Sequence, residues 1–281
     1  GARLLSPVSQ ARYLDFFRGI MALATAKRLV PGNPATDLRP IKQDTLSASE
    51  KRPPFTTEQI AEIFDSDFYH LWVPGTNNTY RKPDRDWRFW LPLLLAFTGM
   101  RPGEVCQMLA TDIVQSSGGV WYARVIPTDD EDDDATAKSV KTAFSRRNVP
   151  IHPELLSIGF LDFVEARRGD NAVQRLFPNL KKGPRGYFSD YPCRRFREHF
   201  LPKMVELQPR QTVYSFRHSF RDALRRIKAP DDVVSALGGW SEGKKVSDAY
   251  GNKNDPDYLF SYIEQISYPG TKLNFRYLPF L

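Results

Sequence analysis

Tyr214-Ser-Phe-Arg-His-Ser-Phe-Arg-Asp-Ala-Leu224 is the stretch on which the reading of the whole chain turns. Ser215 suits the cap of a helix, and His218 and Arg221, three positions apart, then share one helix face. A histidine and an arginine so placed can reach a single phosphate, the imidazole handling a proton while the planar guanidinium spans two oxygens. Alone, His-x-x-Arg is more often an exposed polar helix face, so its meaning depends on its surroundings.

Upstream, a Leu-rich and aromatic helix is expected from about Trp87 to Thr98, deeply buried. Thr98-Gly-Met-Arg-Pro-Gly-Glu104 follows, with Pro102 placed for the first position of a further helix running through Leu109. Arg101 therefore stands at a helix N-terminus, and Glu104, three residues on, can hold its guanidinium in place. Val120 to Ile126 has strand composition, and shorter strands are expected around Lys138 to Lys141 and Arg147 to Pro150. Lys141 would sit at a hairpin turn, from which a lysine reaches a groove as a mobile proton donor. The local pattern does not separate Lys141 from Lys138. The acidic run Asp129 to Asp134 reads as a solvated loop.

Downstream the pattern is helical: Pro153 to Arg168, Asp190 to Leu207, Ser215 to Ile227, Pro230 to Leu237, Lys244 to Tyr250, and Asp255 to Ile266. Gly238 and Gly239 end one of these helices, Trp240 follows the turn, and Tyr250 comes ten residues later. The fold class is thus mainly α with a small antiparallel β-sheet, an α+β arrangement.

At the N-terminal end, Ser6-Pro7 opens a helix with Tyr13, Phe16, Phe17, Ile20, Leu23 and Ala24 at helical spacing, stopped by Pro31-Gly-Asn-Pro34. Ile41 to Pro54 lacks periodicity and reads as a linker. Thr56-x-x-Gln59 is a capping box for a helix carrying Ile60, Ile63 and Phe64. Two parts are expected: residues 1–48, a helical remnant with linker, and residues 49–281, the main domain. A chain cut at its front is expected, because it opens directly into an amphipathic pattern.

The formal charge of +7 is unevenly spread: between Thr136 and Lys228, 20 Lys and Arg stand against 8 Asp and Glu. A basic segment of this kind suits a polyanionic partner such as a phosphate backbone. The two cysteines, Cys106 and Cys193, have no Cys or His beside them at metal-ligand spacing, so neither a disulfide framework nor a structural zinc is expected. No apolar run reaches a bilayer span and no secretory pattern opens the chain, so a cytoplasmic protein without a membrane partner is expected.

The ordered set Thr98-Gly-Met-Arg-Pro-Gly-Glu104, Lys141 ahead of Val149-Pro150, His218-x-x-Arg221, Leu237-Gly-Gly-Trp240 and Tyr250 resembles the active-site series of the tyrosine recombinase (phage integrase) family. The likeness spans nearly the whole main domain. It implies the integrase catalytic-domain fold, with residues 1–48 as the end of a helical core-binding domain. It also implies roles: Arg101 and Arg221 as an arginine pair, His218 between them, Lys141 as the hairpin lysine, Tyr250 as the nucleophile and Glu104 in support of Arg101. Trp240 stands where many relatives carry a second histidine; it offers one indole N–H and no titratable proton.

By that resemblance the chain cleaves and rejoins DNA through a 3′-phosphotyrosyl bond, without ATP, metal or other cofactor. Its partners would be double-stranded DNA and further recombinase protomers, four on DNA, with a monomer when free and a bacterial or phage-derived, nucleoid-associated setting. Integration or excision of a mobile element is the implied task. Two alternatives share the fold: a type IB topoisomerase-like or telomere-resolving enzyme, and an inactive DNA-binding module.

Overall fold

The computed structural model describes residues 5–41, 47–72, 80–82, 85–127, 138, 146–169, 174–240 and 254–278. Lys141, Tyr250, the acidic run, the 139–141 part of an expected strand and the expected helix from Lys244 lie outside the described residues. The chain divides into two compact units, Gly1–Lys51 and Arg52–Leu281.

In the first unit, helix α1 (Pro7–Ala26) is capped by Ser6, whose Oγ accepts from the Ser9 N–H, with Pro7 in the first turn. Arg18 donates to the carbonyls of Ala35 and Leu38, and Asn33 donates to the Arg18 carbonyl, which folds the following segment back along the helix. The apolar positions read from the sequence, Tyr13, Phe16, Phe17, Ile20 and Leu23, are all exposed. A short helix α2 (Ala48–Lys51) interrupts the expected linker, the Ser47 Oγ accepting from the Glu50 N–H while a Glu50 carboxylate oxygen accepts from the Ser47 N–H.

The second unit is built around α5 (Trp87–Thr98), every residue of which is buried. Ahead of it, α3 (Thr57–Phe64) carries the expected capping box of Thr56 and Gln59 and buries Ile60, Ile63 and Phe64. The short α4 (Asp67–His70), which has no periodic signal, adds Phe68 and Tyr69 to an aromatic cluster with Trp72 and Phe89. After α5 the chain turns at Gly99 (φ 62°) into α6 (Pro102–Cys106), shorter than the helix to Leu109 that the pattern suggested. A side chain at Gly99 would run into the Phe220 ring, so this turn requires glycine.

The sheet has three antiparallel strands in the order β1 (Ile113–Gln115), β2 (Trp121–Val125) and β3 (Arg147–Pro150), Ile113 lying opposite Ala123 and Ala123 opposite Val149. Strand β1 is too short to show alternation in the sequence. The helix expected over Pro153 to Arg168 is two: α7 (Pro153–Ser157) and α8 (Phe160–Arg168), broken at Gly159 (φ 95°), where the Tyr277 carbonyl crosses close by. The helix expected from Asp190 runs as α9 (Asp190–Arg195), one wider π turn over Phe196–Phe200, and α10 (Leu201–Met204).

Helix α11 (Ser215–Arg226) packs along α5 and buries Phe216, Phe220 and Leu224. Its cap position is Tyr214 rather than Ser215; the Ser215 Oγ instead accepts from the Thr212 N–H, closing the turn before the helix. Helix α12 (Asp231–Gly238) ends on the left-handed Gly239 (φ 57°). Helix α13 (Pro256–Ile263) has Asp255 as its cap and Pro256 in first place, as the Asp-Pro pair indicated. The observed architecture is mainly α with one small antiparallel sheet, in agreement with the sequence reading. No described helix is long and apolar enough to cross a membrane.

Candidate active site

Two glycine turns, Gly99 before α6 and Gly238-Gly239 after α12, come together above α11. Arg101 caps α6 and faces the second turn: its guanidinium donates to the Gly239 carbonyl at 2.8 Å and to Glu104 Oε1 at 2.7 Å. The other Glu104 oxygen accepts from the Arg101 backbone N–H at 2.7 Å, so one carboxylate holds both ends of this residue. The pairing read from the Arg-Pro-Gly-Glu spacing is therefore present, and it is buried on the Glu104 side.

Glu104 also pairs with Arg147 of β3, at 2.8 and 3.0 Å. Burial alone would raise the Glu104 carboxyl, but Arg147 and Arg101 outweigh it and hold the group down to about 2. The carboxylate is thus charged across the physiological range, as a buried acid between two guanidinium groups should be.

Arg217 was not singled out by the sequence reading, and the structure places it at the centre. It is 1% exposed and donates to the carbonyls of Gly99 and Gly238, joining the two turns. Its guanidinium lies 4.5 Å from the centre of the Trp240 ring. Burial, then the nearby Arg101, pushes it below the usual guanidinium range to about 9, which still leaves it charged at neutral pH. Two of five N–H donors are committed to these carbonyls. The signal that would have found it is its spacing: Arg217 and Arg221, four apart on α11, face the same way, and Trp240 stacks against both.

Arg221 lies 5.2 Å from the Trp240 ring centre, and its Nε is buried with no hydrogen-bond partner among the described residues. His218 is half-buried beside the Tyr214 ring at 5.6 Å, and its Nε2 is likewise buried without a partner. Burial first, then Arg217 and Arg52, lowers its pKa, which makes the neutral imidazole the resting form at pH 7. Arg221 thus keeps a polar atom without a partner beside Trp240, and His218 keeps one beside Tyr214.

Lys138 is buried and bonded to Asp112 Oδ1 at 2.6 Å, and Asp112 in turn accepts from the Leu109 N–H. It serves as a counter-ion inside the fold. Among the described residues no cluster of three or more His, Cys, Asp or Glu side chains is arranged to hold a metal ion.

The gathered site is a set of guanidinium donors, an indole and an imidazole around two buried glycine turns, which is suited to a tetrahedral anion. No family model and no curated protein sequence matches the chain. Solved structures do. The Tn1549 transposon integrase in complex with circular intermediate DNA is 17% identical with a TM-score of 0.57, over 85% of this chain and 73% of that one. The same integrase with transposon right end DNA is 19% identical with a TM-score of 0.51, over 83% and 75%. The integrase from mycobacterium phage Brujita is 13% identical with a TM-score of 0.48, over 96% and 76%. The chain has the fold of the Tn1549 integrase.

Proposed function

We propose that this protein is a site-specific DNA recombinase of the tyrosine type, breaking and rejoining strands through a covalent bond between Tyr250 and a 3′ phosphate. The observation that carries the proposal is the convergence of Arg101 and Arg217 on adjacent carbonyls of the Gly238-Gly239 turn, in a fold shared with the Tn1549 integrase.

A phosphodiester resists attack because its charge repels nucleophiles and its leaving alkoxide is strongly basic. Arg101 and Arg217, with Arg221 beside them, would stabilise the charge that builds on the non-bridging oxygens, each donor being worth about 3 kcal/mol. A tyrosine hydroxyl, with an ordinary pKa of ~10, needs its proton removed; neutral His218 with a free Nε2 is suited to take it. Trp240 supplies an indole N–H and packs the arginines. Lys141 would protonate the departing 5′ oxygen. The attack of the Tyr250 oxygen on phosphorus breaks the P–O5′ bond, so the energy of the broken linkage is kept in the phosphotyrosine and religation needs no ATP.

Residues 1–48 are read as the end of a core-binding domain. Double-stranded DNA is the substrate, further copies of the chain assemble on it as a tetramer, and the protein is a monomer when free. Movement of a mobile element, in the cytoplasm at the nucleoid, is the task this chemistry suits best.

The test is capture of an SDS-stable adduct on a pool of nicked duplexes with a randomised centre. The parent chain should yield an adduct and Tyr250→Phe none, with DNA binding retained. DNA binding without any adduct would mark an inactive binding module; relaxation of plasmids lacking the captured sequence would mark a topoisomerase.

A further inference from the structure

Arg147 takes no part in the chemistry just proposed, yet it is 3% exposed and bonds to Leu237 and Glu104, on the two turns that frame the site. It stands on β3, which begins directly after the segment bearing Lys141. From there its Nε donates to the Leu237 carbonyl at 2.8 Å, and its two terminal nitrogens bond both oxygens of Glu104. A Cβ at Gly239 would come within 3.0 Å of one of those nitrogens, so the backbone of the second turn lies directly against the guanidinium. Glu104 passes the connection on to both the backbone and the side chain of Arg101.

We infer that Arg147 is a positioning residue: it fixes the sheet, the Arg101 turn and the Leu237-to-Trp240 turn to one another and so sets the spacing of the groups that grip the phosphate. Only a planar fork with three nitrogens can meet two carboxylate oxygens and a carbonyl at once. A lysine keeps the charge but offers one nitrogen, so it satisfies one turn and releases the other. Displacement of a catalytic group by about 1 Å costs roughly 100-fold in rate. The inference rests on the recombinase reading for its catalytic consequence but not for its structural one.

The experiment compares the parent, Arg147→Lys and Arg147→Met by two readouts. Hydrogen exchange, read by mass spectrometry, asks whether the substitution frees the amides around Arg101 and those of residues 237–240. In Arg147→Lys at least one of the two peptides should lose protection while α5 keeps its own; unchanged protection in both would overturn the assignment whatever the enzyme does. Adduct formation on the captured duplex, at saturating DNA, should fall about 100-fold in Arg147→Lys, with DNA affinity within about three-fold of the parent. A rate within three-fold of the parent in a chain with loosened turns would overturn the catalytic half. Arg147→Met leaves Glu104 without its main counter-charge, and a general loss of folding there shows only that the pair is buried; Arg147→Lys decides. Failure of the parent itself to form any adduct would count against the recombinase reading, while the exchange result would still stand.

Discussion

The Tyr277 hydroxyl donates to Asp86 Oδ1 at 2.6 Å, joining the end of the described chain to the residue that precedes α5. The same carboxylate receives Arg167 of α8. The tail after α13 is therefore part of the core of its own subunit: Tyr268 donates to the Ala96 carbonyl, Phe275 stacks on Tyr69 at 4.8 Å, and the Tyr277 N–H donates to the Ile158 carbonyl. A tail of this kind closes the second unit from outside. Tyr277→Ala should lower stability by about 3 to 5 kcal/mol, the usual cost of removing a buried aromatic ring. Tyr277→Phe should lower it by about 1.5 to 3 kcal/mol, a bond to a charged acceptor being lost while Arg167 still pairs with Asp86. Urea unfolding of the two variants checks the order; a Tyr277→Phe chain as stable as the parent would mean that the hydroxyl contributes nothing, and equal losses in the two variants that the ring contributes nothing beyond it.

His152 gives the fold a pH dependence of known sign. Its Nδ1 accepts from the Glu154 N–H at 3.1 Å and its Nε2 faces the Ile266 carbonyl at 2.9 Å, so the folded state holds the neutral ring with a proton on Nε2. Burial lowers its pKa to about 4, only partly opposed by the Ile266 bond. The unfolded chain, with an ordinary histidine near ~6.5, binds more protons between these values. Stability from this group is complete above ~6.5 and drains away as pH falls toward 4, by roughly 3 kcal/mol. Glu104, also depressed, adds its own loss only below its ordinary value of 4.5. His218 shifts in the same direction as His152, so the comparison must be with His152→Gln, which cannot titrate. Urea midpoints between pH 7.5 and 4.5 should fall more steeply in the parent; parallel curves would sink the account.

The two arginines of α11 can be told apart by substitution. Arg217 bridges the carbonyls of Gly99 and Gly238, whereas Arg221 meets only the Trp240 ring among the partners seen. If the bridging guanidinium is the one that grips phosphate with Arg101, Arg217→Lys should slow adduct formation by about 100-fold or more. Arg221→Lys, which keeps charge beside the indole, should slow it less than about ten-fold. The reverse ranking would return the role to Arg221.

That ambiguity shows where sequence reading stops. Helix α5, the Thr56–Gln59 box, the Asp255-Pro256 cap and the Arg101–Glu104 pair were all legible, because each is local: a period, a cap or a three-residue spacing specifies it. Arg147 and Arg217 were not. Each acts through carbonyls more than 20 residues away, and nothing in the local pattern of a buried arginine separates it from a surface one. The exposed apolar positions of α1 make the same point in reverse: helical spacing marks an apolar face but does not say what covers it. The break at Gly159 has a similar cause, since it answers to the distant Tyr277 strand of chain rather than to the helix itself.

Of Lys138 and Lys141, indistinguishable by sequence, Lys138 is held by Asp112, while Lys141 lies outside the described residues. A lysine side chain 5% exposed and bonded to a carboxylate 4% exposed is held as a counter-ion, and its removal strands a buried negative charge. Lys138→Met should therefore cost about 3 to 5 kcal/mol of stability. If Lys141 is the proton donor to the leaving oxygen, Lys141→Ala should leave stability within about 0.5 kcal/mol, as for most surface substitutions, and slow cleavage by 100-fold or more. The decisive control replaces the 5′ bridging oxygen of the nicked duplex with sulfur. A thiolate departs without being protonated, so Lys141→Ala should recover nearly the parent rate on that substrate while Tyr250→Phe stays inactive. A Lys141→Ala chain equally slow on both substrates would remove this residue from the protonation step.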